Sequence, residues 1–211
     1  MKPLLFVLLA AAALPPLANA QGYFPRHNLT VGLGIAVPQE DLQPYFRNAF
    51  GWNIGYGYRF HRYFQADGGF ESSCKAADVN DFYNTPNFGP LRIRDFQYFV
   101  PFGARVILPL AGERVRIYGG GGGAYLRYSE LLRQPSDYFR VECPVCTARD
   151  GWGSYAMAGA DFALDRSGIF RLGVMTRMYR ANTEGDGLGA LPPVRTSDRW
   201  WNSYLQFTFG F

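Results

Sequence analysis

Over residues 28–37 the apolar side chains Leu29, Val31, Leu33, Ile35 and Val37 alternate with Asn28, Thr30, Gly32, Gly34 and Ala36. Successive side chains of a strand point to opposite faces, so this segment predicts a strand with one oily face and one polar or small face. The rhythm returns over 50–60, where Phe50, Trp52, Ile54, Tyr56, Tyr58 and Phe60 oppose Gly51, Asn53, Gly55, Gly57 and Arg59. It returns again over 63–72, 94–108, 152–164, 169–180 and 201–211; in the last of these Leu205, Phe207, Phe209 and Phe211 alternate with Tyr204, Gln206, Thr208 and Gly210. The segment 114–128 is read as a further strand, although five glycines, Gly119–Gly123, erase its pattern. A final strand with such an aromatic edge is tolerable where a partner strand closes the sheet.

The connections alternate in length. Those after the second, fourth and sixth strands are short (61–62, 109–113 and 165–168), and those after the first, third, fifth and seventh are long (38–49, 73–93, 129–151 and 181–199). An up-and-down sheet with these connections has a short-turn end and a long-loop end, as bilayer-spanning barrels do. Strands of ~10 residues tilted by ~45° match a hydrocarbon core. Aromatics give an independent sign: Trp52, Trp152, Trp200 and Trp201 fall at the long-loop end and are read as interface aromatics, while Tyr58, Phe60, Phe64, Phe162, Phe209 and Phe211 fall at the other. Two aromatic girdles are what a bilayer selects. The fold class is therefore all-β, an eight-stranded antiparallel up-and-down transmembrane β-barrel. A soluble lipocalin-like carrier would need the reverse, an apolar interior and a polar exterior.

Residues 1–20 carry Lys2, an apolar run over 4–14 and the small-x-small tripeptide Ala18-Asn19-Ala20. They are expected to form a cleaved secretory signal peptide, leaving 21–211 as one barrel domain. Formal net charge is +4 and Lys75 is the only lysine beyond Lys2. The arginines are scattered among acids, which does not make a nucleic-acid footprint. Aromatics at 17% and 25 glycines suit strands that are apolar outside and polar inside.

An eight-stranded barrel is just wide enough inside for side chains to fill it. The inward set includes Arg59, Asp67, Glu71, Asp95, Arg105, Arg116, Asp161, Arg171 and Arg177. Buried charges must be paired. Counting from the turns places Asp161 opposite Arg171 and Arg105 opposite Arg116, with Asp67 and Asp161 flanking that arginine pair. A lateral charge network near the short-turn end is expected to plug the lumen, a narrow charged pore being the competing reading.

The signal sequence, the eight alternating strands, the alternating loops and the closing Leu205-Gln206-Phe207-Thr208-Phe209-Gly210-Phe211 resemble the small eight-stranded outer-membrane barrels. These include the transmembrane domain of outer membrane protein A and the OmpX-, OmpW- and opacity-protein-like families. The resemblance implies a Gram-negative outer membrane, reached through the periplasm, with lipid and lipopolysaccharide as surroundings. It also implies a monomer and a strand signal, Phe207, Phe209 and Phe211, read by the barrel assembly machinery. The function it implies is structural or surface-interacting, with an extracellular ligand a role for the long loops; the alternative is a narrow pore or transporter for small or apolar solutes, as in OmpW-like proteins.

Enzymes of this fold work at the outer leaflet, and a hydrolase needs a base beside its nucleophile. His27 and His61, the two histidines, fall at the short-turn end, so no catalytic residue and no enzymatic role is assigned. No cofactor or metal is expected either: Cys74, Cys143 and Cys146 have no nearby histidine to complete a zinc site. Exported cysteines usually oxidise, so a Cys143–Cys146 disulfide is a candidate, with Cys74 as an alternative partner for either. Gly119–Gly123 lacks the Lys-Ser/Thr and helix of a phosphate loop and reads as a wall that bulky groups approach closely.

Overall fold

The computed structural model describes residues 24–74, 82–85, 89–133, 147–188 and 191–211, with the backbone alone for 82–85, 89–94 and 131–133. The candidate signal peptide and both Cys143 and Cys146 lie outside the described residues. Nine strands follow in chain order: β1 (His27–Gln39), β2 (Ala49–His61), β3 (Phe64–Cys74), β4 (Phe82–Thr85), β5 (Gly89–Leu110), β6 (Val115–Arg133), β7 (Thr147–Ala163), β8 (Phe170–Gly185) and β9 (Thr196–Gly210). β4 is a short flap that pairs with the start of β5. The other eight run antiparallel, each beside its neighbour, and pairing of β1 with β9 and of β3 with β5 closes the cylinder.

The two-residue period decides which side faces out. On β1, Leu33 is 60% exposed and Ile35 53%, while the next residue, Ala36, is wholly buried. On β9, Leu205 is 58% exposed and Gln206 6%. Exposed apolar side chains and buried Arg59, Glu71 and Arg171 make a fold turned inside out, which only a lipid solvent stabilises. Most strands run further at the long-loop end than the alternation indicates: β5 begins at Gly89, β7 at Thr147 and β9 at Thr196.

The sequence reading of two hairpins needs correction: in the β7–β8 ladder Asp161 pairs with Gly173 and Arg171 with Ala163, not with each other. Arg105 does not face Arg116. The β5–β6 ladder pairs Leu110 with Val115, so Arg105 sits opposite Gly120 and Arg116 opposite Pro109. Pro109 signals a turn in sequence, yet β5 continues through it. The reversal is made instead by Ala111, Gly112 and Glu113, all with positive φ (49°, 66° and 71°), and this tight left-handed corner shifts the register. The shift separates two like charges that would otherwise repel across the ladder.

The β7–β8 turn is tied by one carboxylate. Asp165 accepts the Ser167 hydroxyl and the backbone N–H groups of Ser167 (3.1 Å), Ile169 (3.3 Å) and Phe170 (2.8 Å). The Ser167 hydroxyl first, and those amides after it, favour the charged form and hold this exposed carboxyl at about 2. A depressed pKa means that the turn's contribution to stability is complete above the ordinary aspartate range, about pH 3.9. It is lost as pH falls through about 2. A carboxyl carbon NMR titration is expected to give a midpoint near 2 for Asp165; a midpoint in the ordinary aspartate range would show the turn untied.

Candidate functional site

The inward side chains stack in tiers along the barrel axis. At the short-turn end, Asp161 of β7 accepts two donors from Arg116 of β6, Nε at 2.9 Å and Nη2 at 2.9 Å, and also accepts Arg171 Nε. Arg171, paired by register with Ala163, reaches Asp161 diagonally, and its Nη2 donates to the Glu113 carbonyl at 2.7 Å. Arg59 meets the Glu113 carboxylate fork to fork, at 3.0 and 3.1 Å, and stacks over Phe24 at 4.7 Å. Three arginines thus share two carboxylates and a set of turn carbonyls, the bidentate geometry in which buried guanidinium is best satisfied.

The next tier is Arg105 against Asp67, bidentate at 2.6 and 2.8 Å. Gln65 donates to the same carboxylate at 2.7 Å, and Arg105 lies 4.6 Å over the Tyr118 ring. Room for that ring comes from Gly159, where a Cβ would come within 2.6 Å of Tyr118. Above it, fully buried Glu71 accepts Arg177 Nη1, Asn202 Nδ2 (2.9 Å) and Tyr204 Oη (2.9 Å). Arg59, Asp67, Glu71, Arg105, Arg116, Asp161, Arg171 and Arg177 therefore point inward in ion pairs, but as separate tiers; Asp95, the ninth of the set, is buried too and accepts Gln97 Nε2 at 2.9 Å. Between the two upper tiers remains a cavity of about 10 Å³, lined by Asn53, Asp67, Arg105, Arg177 and Gln206, which is roughly one water molecule. Both side-chain amide atoms of Asn53 are buried there without a protein partner.

Beyond the charges the lumen becomes aromatic. Phe99 packs on Tyr179 at 4.9 Å and edge-on to Trp200 at 5.7 Å. Phe46, from the segment after β1, inserts into the mouth and meets Trp200 and Tyr128 at 5.4 and 5.5 Å. Trp200 is accordingly not an interface aromatic, which corrects the sequence reading. It is wholly buried and donates its indole N–H to Tyr128 Oη at 2.9 Å. The cause is parity: Trp201, on the same side as Phe207 and Phe209, takes the lipid face, so its neighbour must point inward. Trp52, Trp152 and Trp201 are 39%, 65% and 47% exposed on the outer wall. At the rim, Arg149 donates to Thr183 Oγ1 (3.1 Å), Thr196 Oγ1 (2.8 Å) and the Val194 carbonyl (2.8 Å), while Asp198 accepts both threonine hydroxyls at 2.6 Å.

Phe207, Phe209 and Phe211 all face outward, and Phe211 exchanges two backbone hydrogen bonds of 2.9 Å with His27. Cys74 ends β3 half-buried, outside any disulfide among the described residues. His27 Nδ1 lies 2.6 Å from Tyr56 Oη, and His61 Nδ1 accepts the Tyr63 amide at 3.3 Å. Among the described residues no three His, Cys, Asp or Glu side chains gather as a metal would require.

Sequence reasoning missed Glu113, Arg149 and the lumenal place of Trp200. Extending the odd-numbered inward set of β7 back through Tyr155, Gly153 and Gly151 reaches Arg149. Counting back along the even-numbered inward set of β9 through Gln206, Tyr204 and Asn202 likewise reaches Trp200. Glu113 gives no such sign, because its direction is set by a left-handed turn and not by a period.

The description "Outer membrane protein beta-barrel domain" matches residues 4–190, nearly the whole chain. The chain belongs to this family. It is a protein of the Gram-negative outer membrane. Among solved structures it is similar to Neisserial surface protein A, at 12% identity and a TM-score of 0.54, covering 88% of this chain and 97% of that one. It is also similar to the outer membrane protein OprG from Pseudomonas aeruginosa, at 14% identity and a TM-score of 0.54, covering 92% and 99%. At these identities the likeness is one of fold. No curated protein matches in sequence. In this outer-membrane barrel the short turns are periplasmic and the long loops extracellular.

Proposed function

We propose that this outer-membrane barrel is a closed, monomeric scaffold that presents its long loops outside the cell for structural or surface-interaction roles, and that its lumen conducts nothing. The observation that carries the reading is the tiering of the interior: three ion-paired layers and an aromatic layer in series, with space between the upper charge tiers for about one water. A transporter of apolar solutes would need an apolar path, and here the ion pairs Arg105–Asp67 and Arg177–Glu71 stand in it. Lipid and lipopolysaccharide surround the wall. Phe207, Phe209 and Phe211 serve as the strand signal for the barrel assembly machinery.

Planar-bilayer recording of the purified protein tests closure. The expected record is a flat baseline across both polarities. Stable unitary openings would overturn the plug and favour the narrow-pore alternative.

A further inference from the structure

The outer wall is largely apolar, but at the extracellular end of β8 and β9 it changes character in three successive rows. Met178 and Trp201 are direct cross-strand partners, 52% and 47% exposed. Two residues further out, Arg180 and Arg199 are partners, and beyond them Asn182 and Ser197. Parity places all six on the outside, because the intervening Tyr179 and Trp200 are wholly buried in the lumen. The arginines therefore stand at the outer-leaflet interface, above the apolar pair and below a neutral polar pair.

Two like charges directly opposite on a ladder are destabilising. Arg199 has an ion pair with Glu40, at the exposed mouth. Arg180 is exposed and has no ion pair among the described residues. On the outer face of β8 the next acidic position is Glu184, four residues outward from Arg180, where it pairs by register with Asp150; Asp150 in turn faces Arg127. Glu40 thus offsets Arg199 alone, and no acidic group among the described residues offsets Arg180. An anion held between the two guanidiniums would, and a phosphate matches their planar forks.

We propose that Arg180 and Arg199 form a binding site for a phosphate of a phosphorylated glycolipid of the lipid A type, with Met178 and Trp201 against its acyl chains. The site lies on the outer wall and is independent of the closed lumen. Depth selects the source: a phosphate at this level, beside an apolar pair facing hydrocarbon, belongs to a lipid head group, and Asn182 and Ser197 are placed to hydrogen-bond a sugar.

Native mass spectrometry of the folded full chain in detergent, with bisphosphorylated lipid A added, tests the site. The double variant R180Q/R199Q is expected to lose affinity by about tenfold, the worth of a charged hydrogen bond. R195Q, which removes an exposed arginine from the β8–β9 connection, is expected to bind as the wild type. Dephosphorylated lipid A should bind wild type as weakly as the double variant binds the phosphorylated form, and excess inorganic phosphate should not displace the lipid. Equal binding of the two lipid A forms, undiminished binding by the double variant, an equal loss in R195Q or displacement by inorganic phosphate would each overturn the proposal. Heat-modifiable gel migration reports folding. Should the double variant not fold, R180Q alone carries the comparison: a loss in the same direction upholds the site and wild-type binding overturns it.

Discussion

Replacing Glu71 with Ala is expected to destabilise the barrel by about 3–5 kcal/mol, the cost of leaving one partner of a buried ion pair behind. Glu71 is fully buried and is the single acceptor shared by Arg177, Asn202 and Tyr204, side chains from β8 and β9 on the far side of the lumen. Its removal strands the Arg177 guanidinium, whose Nε already lacks a hydrogen-bond partner. The size of the effect comes from the orphaned charge and not from the attraction that is lost. The double variant Glu71→Ala with Arg177→Met should therefore recover most of the stability, since a buried pair replaced by apolar groups is often neutral. Urea unfolding in lipid vesicles, followed by heat-modifiable gel migration, measures both. A single variant that unfolds at the wild-type midpoint, or a double variant no better than the single, would mean that water or a neighbouring carboxylate compensates Arg177.

That experiment also separates two uses of charge in a barrel. Asp161 holds Arg116 and Arg171 together at the periplasmic end, and Asp67 holds Arg105. Each of these acids ties strands that are neighbours in the wall, β6, β7 and β8 for Asp161 and β3 and β5 for Asp67. The Glu71–Arg177 pair, from β3 to β8, instead crosses the lumen and braces a cylinder whose strands are already paired around it. The groups that brace the wall also occupy its axis, so on the proposed reading closure follows from stability.

Much of this was legible in the chain because one period governs both faces. Once the alternation is read on β1, β2 and β9, the inward charges follow by parity, and Arg59, Asp67, Glu71 and Arg177 need no further information. What the period cannot supply is register between strands. Register across β5 and β6 depends on the positive φ values of Ala111, Gly112 and Glu113, and nothing in a Pro-Leu-Ala-Gly-Glu stretch says that the strand continues past Pro109. The error on Trp200 is of a different kind. Residue type places both tryptophans of the pair at the membrane interface, where parity allows only one of them. The composition rule and the geometric rule conflicted, and geometry prevailed.

Trp200→Ala gives the clearest test of that outcome. Trp200 is wholly buried among Phe46, Phe99 and Tyr128 and satisfies its N–H on the Tyr128 hydroxyl. Truncation deletes the centre of the aromatic tier, and a buried Trp or Phe reduced to Ala costs about 3–5 kcal/mol. Trp201→Ala removes a side chain that faces lipid and packs on no core, so its cost should be distinctly smaller. Fluorescence distinguishes the two residues directly. With Trp52, Trp152 and Trp201 changed to Phe, the remaining Trp200 emission should be blue-shifted and resist quenching by aqueous iodide. Brominated lipid should barely quench it, because its ring lies inside the wall. Strong quenching by brominated lipid would place Trp200 outside and reverse the parity of β9, and with it the inward assignment of Asn202 and Tyr204 that completes the Glu71 tier.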